Sequence, residues 1–118
     1  MIPFITITLD KPYECKMSYA SSVRYQQLTG KPIIGITKVT IDNLPDLLCA
    51  MLRQHIPDIT VEKTVDMIDE YADSIPALIH LVAACLDAAY SLDESHPNVK
   101  TLATLNRVPK FPKLPKNT

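Results

Sequence analysis

The sequence is poor in glycine and has no paired cysteines, and both features exclude classes of function. Its two glycines are Gly30 and Gly35, whereas a G-x-G-x-x-G turn or a P-loop needs several glycines at fixed spacing so that backbone amides can approach phosphate. Its three cysteines, Cys15, Cys49 and Cys85, are odd in number and form no C-x-x-C pair. Nucleotide enzymes of those two classes are therefore excluded, and neither a disulfide framework nor a zinc ribbon follows.

Long apolar runs and a signal peptide are missing as well. No stretch reaches the roughly 18 uncharged apolar residues of a membrane span, and no basic segment precedes the short apolar run at residues 1–4. We therefore expect a soluble protein of a reducing cytoplasm. The 118 residues, 47% of them hydrophobic and 21% charged, suffice for one domain with a modest core and leave no room for a second catalytic module.

Charge is distributed unevenly along the chain. Residues 1–98 carry 7 Lys and Arg against 13 Asp and Glu, whereas residues 99–118 carry five basic residues and no acid. Basic residues can neutralise the phosphates of a nucleic acid, which makes a small nucleic-acid-associated protein that uses the basic end the alternative function. The acidic body would repel a nucleic acid, so the basic end is more simply a solvated extension or a peptide for a protein partner.

Alternation of apolar and polar residues predicts a β-hairpin over residues 4–17. The sequence Asp-Lys-Pro at residues 10–12 supplies the turn between its two arms. Because an isolated hairpin is only marginally stable, we expect this one to pack on the rest of the domain. Its apolar residues are Ile5, Ile7, Leu9, Tyr13, Cys15 and Met17.

Capping residues predict where the helices begin and end. Ser18 is expected to cap the first helix and Gly30 to end it in a left-handed conformation. Asp42 or Asn43 is expected to cap the second, and residues 32–41 before it fit a loop, a strand or a short helical turn equally well. Thr60 and Ser74 precede the last two helices. The four helices are predicted over about residues 18–28, 43–55, 60–73 and 75–91.

Apolar spacing predicts which side of the last three helices faces the core. The second helix has Leu44, Leu47, Leu48, Met51 and Leu52 at positions i, i+3, i+4, i+7 and i+8. The expected inward residues of the third helix are Val61, Val65, Ile68, Tyr71 and Ala72. Those of the fourth helix are Ile75, Leu78, Ile79, Val82, Leu86 and Ala89.

The sequence as a whole predicts an α+β domain over residues 1–106, a hairpin packed on a mostly helical body, and a flexible basic extension over residues 107–118. Residues 108–116 repeat an apolar residue, proline and lysine three times. A proline at every third position favours polyproline II, which has three residues per turn. The apolar, proline and lysine residues would then form three separate ridges.

No catalytic or metal site is predicted. A Cys85 nucleophile paired with His55 or His80 is conceivable, but no family motif supports it, and cysteine is commonly a small buried apolar residue. The carboxylates of the third helix have no histidine three or four residues away, so a solvated acidic face is the simpler interpretation. These carboxylates belong to Glu62, Asp66, Asp69, Glu70 and Asp73.

The order of several motifs over residues 18–90 resembles the tail assembly chaperones of long-tailed bacteriophages and prophages. A strand pair leads to a helix ending in Gln-Leu-Thr-Gly at residues 27–30, and Leu-Pro-Asp-Leu-Leu-Cys-Ala-Met-Leu follows at residues 44–52. The fullest match is Pro-Asp-Ile-Thr-Val-Glu at residues 57–62, which opens a helix, followed by a last amphipathic helix. The family usually has a Glu-rich end, and this chain has the Pro-Lys repeat instead. The alternative is therefore a small phage or mobile-element protein that associates with nucleic acid through this basic end.

The resemblance implies a non-enzymatic protein of the bacterial host cytoplasm, without cofactor, metal or small-molecule substrate. Such chaperones bind the tape measure protein and keep it soluble until tail tube subunits polymerise around it, which makes the major tail protein a second possible partner. The adaptable methionines and leucines of the helices would suit an apolar groove for a helical client. The expected partner-binding residues are Leu48, Met51 and Met67 in the body and Val108, Lys110, Phe111, Lys113 and Leu114 in the repeat.

The resemblance also implies a programmed frameshift, because many of these chaperones are made in a short and a long form. Slippage by one base favours a heptamer such as A-AAA-AAC, and Pro-Lys-Asn at residues 115–117 permits the codons CCA-AAA-AAC. The repeat would then become an extended linker in the longer product.

Overall fold

The computed structural model describes residues 1–90, which form an antiparallel β-hairpin followed by four α-helices. The predicted α+β class is thus confirmed. The end of the domain near residue 106 and the extension over residues 107–118 lie outside the described residues. The elements are strands β1 (Ile5–Thr8) and β2 (Pro12–Cys15) and helices α1 (Tyr19–Thr29), α2 (Leu44–Leu52), α3 (Val61–Tyr71) and α4 (Ile75–Ala89), with a 3-10 turn, Ile33–Gly35, between α1 and α2.

The hairpin presents one apolar face to the helices. Its register pairs Ile5 with Cys15 and Ile7 with Tyr13, so these side chains lie on the same face of the two-stranded sheet. Ile7, Tyr13 and Cys15 are buried, whereas Thr6 and Glu14 on the opposite face are exposed. The expected packing of the hairpin on the helical body follows, since β1 contacts α4 and β2 contacts α2.

Helix α1 begins and ends at the predicted residues. The Ser18 hydroxyl accepts a hydrogen bond from the Ser21 amide at 3.1 Å, and Gly30 has φ of 73° while its amide donates to the Gln26 carbonyl at 2.8 Å. The buried residues of α1 are Ser21, Ser22 and Tyr25, so its packed side is largely polar. Its Ser22 hydroxyl lies 2.6 Å from the Tyr90 hydroxyl at the end of α4.

Asn43 is the residue before α2, but its side chain makes no helix cap. Its Oδ1 atom accepts from the Thr40 amide at 2.8 Å, and its Nδ2 atom donates to the Lys38 carbonyl at 3.0 Å. Asn43 therefore holds the preceding loop instead of the first turn of the helix. That loop contains the 3-10 turn Ile33–Gly35. Of the three alternatives for residues 32–41, the structure therefore shows a loop with a short helical turn and no strand.

Helix α2 is the centre of the core. It packs against α1, α3, α4 and β2, and its chain continues in turns to His55, whose amide donates to the Leu52 carbonyl. The predicted one-sided stripe is buried as expected, and Cys49 and Ala50 between its members are buried as well. The buried residues of α2 are Leu44, Leu47, Leu48, Cys49, Ala50, Met51 and Leu52.

Helix α3 shows a different buried face from the predicted one. Thr60 caps the helix by accepting from the Lys63 amide at 3.1 Å, and the buried residues are Thr64, Met67 and Ile68. The predicted inward residues Val65 and Tyr71 are 38% and 41% exposed. This part of the prediction was wrong because α3 packs chiefly on α2, and Thr64 can face it since its hydroxyl donates to the Thr60 carbonyl at 2.9 Å.

Helix α4 lies against β1 and α2, and most of its predicted inward row is confirmed, since Leu78 and Val82 are buried and Ile79, Leu86 and Ala89 pack against the core. Its cap is Ser74, which accepts from the Ala77 amide at 3.2 Å. The buried residues are Leu78, Val82 and Cys85. Ile75 was expected to face inward and is instead 37% exposed, because the packed side of α4 is centred on the row that includes Cys85.

Candidate functional site

The three body residues predicted to bind a partner all lie in the core. Leu48 and Met51 in α2 are 0% and 1% exposed, and Met67 in α3 is 6% exposed. Because α3 packs on α2, the three belong to one apolar cluster. They form no surface groove in this conformation. The other five predicted residues, Val108, Lys110, Phe111, Lys113 and Leu114, lie outside the described residues.

Cys85 and the two histidines do not form a nucleophile pair. The Cys85 thiol points toward the Cys15 carbonyl oxygen at 3.8 Å, while His55 donates from Nε2 to the Glu14 carbonyl at 2.8 Å. His80 is exposed on α4.

Burial also makes the two neighbouring thiols poor nucleophiles. It raises the pKa of the Cys85 thiol to about 11. Burial first, and then the nearby Cys85 thiol, raises the pKa of Cys15 to about 12. Since the thiolate is the reactive form, both thiols are unreactive near neutral pH.

The carboxylates of α3 face solvent. Within residues 1–90, no group of three or more His, Cys, Asp or Glu side chains is placed to hold a metal ion. A small depression lies between the hairpin and α1, and it has room for about one water molecule. Its lining includes Phe4, Glu14, Lys16 and Ser21. None of the helices in the described part of the chain has the length and apolarity that crossing a bilayer requires.

Helix α4 carries more apolar side chains than its packing uses. His80 and Asp87 are its two polar residues, yet only one side of the helix is buried. A helix that is apolar all round is usually covered all round. The apolar side chains of α4 that remain partly in solvent are therefore the surface in the described residues best suited to a partner.

One row of these side chains runs along α4, and we name it the α4 outer row. It consists of Ile75, Ile79, Ala83 and Leu86, at successive spacings of four, four and three residues. Ile75 is exposed, and the other three are partly buried at the edge of the core. The row covers 12 residues of helix, 75–86, and its first and last residues are about 16 Å apart along the axis. This length matches about three turns of a partner helix.

Sequence reasoning assigned Ile75, Ile79 and Leu86 to the core, and Ile79 and Leu86 do pack against its edge. What it missed is that Ile75 is exposed and that the rest of the row stays partly in solvent. The available signal was composition, since two polar residues in fifteen are too few for a helix with one buried side. Comparison of the chain with protein-family models, curated proteins and solved structures finds no match.

Proposed function

We propose that the protein is a tail assembly chaperone of a long-tailed bacteriophage or prophage, a non-enzymatic protein that binds the tape measure protein in the bacterial cytoplasm. The client would dock as an amphipathic helix along the α4 outer row. The major tail protein is a second possible partner, as an assembling tube would receive the client from the chaperone.

The observation that carries the proposal is the position of the resembling motifs in the fold. The Gln-Leu-Thr-Gly motif at residues 27–30 closes α1, with Gly30 in the left-handed conformation. The Leu-rich motif at residues 44–52 coincides with α2, and the motif at residues 57–62 contains the Thr60 cap of α3. Each motif thus coincides with a helix or a helix boundary, which supports the proposal.

The chemistry of the surface supports a binding role. Helix-in-groove recognition reads apolar anchors at spacings of three and four residues, and the α4 outer row offers them. The described residues carry 7 Lys and Arg against 11 Asp and Glu, a net charge of −4. This charge disfavours the nucleic-acid alternative for the body.

Co-expression with the client tests the proposal. The client is the product of the very long open reading frame expected beside this gene, and its soluble fraction after centrifugation is the readout. The double variant Ile75→Asp, Ala83→Asp places two charges on the α4 outer row. We expect it to stay folded and to lose most of the client from the soluble fraction.

A matched control carries two charges elsewhere. Tyr19 and Val23 on α1 are 85% and 39% exposed, so the variant Tyr19→Asp, Val23→Asp should keep the client soluble. Equal client solubility with both variants would contradict the docking surface. A client that is equally soluble without the protein would contradict the chaperone function itself.

The two-product prediction has a separate test. If the codons for Lys116 and Asn117 are AAG and AAT with no other slippery heptamer upstream, or if mass spectrometry of infected or induced cells finds only the 118-residue product, the frameshift prediction is wrong.

A further inference from the structure

The negative charge of the described residues is concentrated at α3. Residues 58–73 contain six acidic residues and one lysine, whereas the rest of residues 1–90 contains five acidic and six basic residues. The side of α3 away from α2 carries most of these acids. We name it the α3 outer face, and its exposed residues are Glu62, Val65, Asp66, Asp69 and Glu70, with the exposed Lys63 at its edge.

This face lacks a neighbour among the main packing contacts of the described residues, because α3 packs chiefly on α2. It is also not purely polar. Val65 is 38% exposed beside the acidic side chains, which gives the face an apolar contact point. An exposed helix face of this kind fits a partner that is basic and carries apolar side chains at regular intervals.

Residues 107–116 of the same chain, which lie outside the described residues, have that chemistry. They contain Arg107, Lys110, Lys113 and Lys116 and no acidic residue. The apolar residues Val108, Phe111 and Leu114 alternate with these basic ones. The segment is therefore complementary to the α3 outer face in charge and offers apolar side chains that could meet Val65.

The spacing of the charges also agrees. In the polyproline II conformation that the sequence predicts, residues three apart are separated by about 9 Å. Glu62 and Asp69 are seven residues apart on one side of α3, which corresponds to about 10.5 Å along a helix axis. Lysine has a long and flexible stem, so two successive lysines of the repeat can reach Glu62 and Asp69.

The chain between the two segments is long enough. Residues 91–106 are sixteen residues, and an extended chain of that length spans up to about 50 Å. The structure has a radius of gyration of 14.8 Å and a longest extent of 43 Å. The extended length of residues 91–106 exceeds this extent, so residue 107 can reach the α3 outer face.

We propose that the α3 outer face is the docking surface for residues 107–116 of the same chain. The inference is independent of the chaperone function and of the α4 outer row. It implies that the basic segment is withheld from acidic partners while it is docked. It also implies that raised salt releases the segment, since exposed charges are screened.

Paramagnetic broadening in the full-length protein tests the docking. The variant Asn117→Cys, carrying a nitroxide, should broaden the amide signals of Glu62, Val65 and Asp69 and leave those of Val23 and Gln26 on α1 unchanged. The native cysteines are buried, so the protein without the added cysteine should take up no label. Uniform broadening of α1 and α3, or no broadening of α3, would overturn the proposal.

Charge reversal distinguishes docking from chance proximity. Adding Lys110→Glu, Lys113→Glu and Lys116→Glu should abolish the broadening, and further adding Glu62→Lys, Asp66→Lys and Asp69→Lys should restore it. Broadening that survives the three lysine substitutions would contradict the proposal. If the variant with all six substitutions fails to fold, the result with the three lysine substitutions is sufficient to decide. Broadening that appears only when labelled protein is mixed with isotope-enriched, unlabelled protein would assign the face to a second copy and overturn docking within one chain.

Discussion

Helix α2 buries seven of its nine residues, whereas α4 buries three of fifteen. Composition does not explain the difference, because both helices are rich in Leu, Ala and other apolar residues. The neighbours do: α2 is surrounded by α1, α3, α4 and β2, while α4 lies against β1 and α2. The apolar residues of α2 thus stabilise the fold. Some apolar residues of α4 remain partly exposed and can contact another molecule.

The largest expected effect tests the α2 side of this comparison. Leu48→Ala removes a side chain that is 0% exposed, so it should lower the free energy of unfolding by about 2–5 kcal/mol. Leu86→Ala on the α4 outer row is the matched change and should cost clearly less, because Leu86 is only partly buried. Urea denaturation measures both. Equal losses would remove the distinction between the two helices.

Alkaline pH tests the buried side of α4. Burial raises the pKa of Cys85 to about 11, and burial and then the Cys85 thiol raise that of Cys15 to about 12. The folded state thus keeps protons that the unfolded state loses above about pH 9, and stability must fall as pH rises. Between pH 9 and 11, each thiol should lower the free energy of unfolding by about 1.4 kcal/mol per pH unit.

Denaturation in reducing buffer over this pH range measures the slope. Cys85→Ala removes one of the two thiols, so its stability should fall less steeply by about 1.4 kcal/mol per pH unit. An unchanged slope would mean that the Cys85 thiol is not protected from solvent.

The cap of α4 should have an intermediate effect. Ser74→Ala removes the hydroxyl that accepts from the Ala77 amide and should cost about 1 kcal/mol. Asn43→Ala is the contrasting change, because the Asn43 side chain bonds the loop before α2 and not the helix amides. Hydrogen exchange should therefore show faster exchange in the first turn of α4 for Ser74→Ala, and in the loop at Thr40 for Asn43→Ala.

The smallest effect is expected at the exposed end of the α4 outer row. Ile75 is 37% exposed, so Ile75→Ala should change the free energy of unfolding by no more than about 0.5 kcal/mol. Leu78→Ala, three residues further along α4, removes a buried side chain and should cost about 2–5 kcal/mol. A loss of that size at Ile75 would place the row in the core and leave the proposed docking surface without exposed anchors.

Local chemistry explains which parts of the fold could be predicted from the sequence. Ser18, Gly30, Thr60 and Ser74 act through bonds or backbone angles within a few residues, so their positions along the chain were sufficient. The alternation that orients the hairpin is equally local.

The orientation of α3 and α4 depends on which elements lie beside them. An apolar residue such as Val65 or Ile75 can end on either side of the boundary of the core, and spacing alone does not decide which. For the same reason the α4 outer row could not be separated from the core by its pattern, whereas the stripe of α2 that places Leu48 in the core is confirmed by its burial.

The contacts of α4 also set the order in which the domain can be completed during synthesis. The thiol of Cys85 meets the carbonyl of Cys15 across 70 residues, and Tyr90 meets Ser22 across 68. The hairpin is synthesised early, but β1 can pack on α4 only after α4 has been synthesised. Since a two-stranded hairpin is only marginally stable alone, a nascent chain that stops before residue 75 should hold a less stable hairpin than the complete domain, packed on α2 through β2 but with β1 uncovered. The first element to leave the ribosome is therefore among the last to become fully stable.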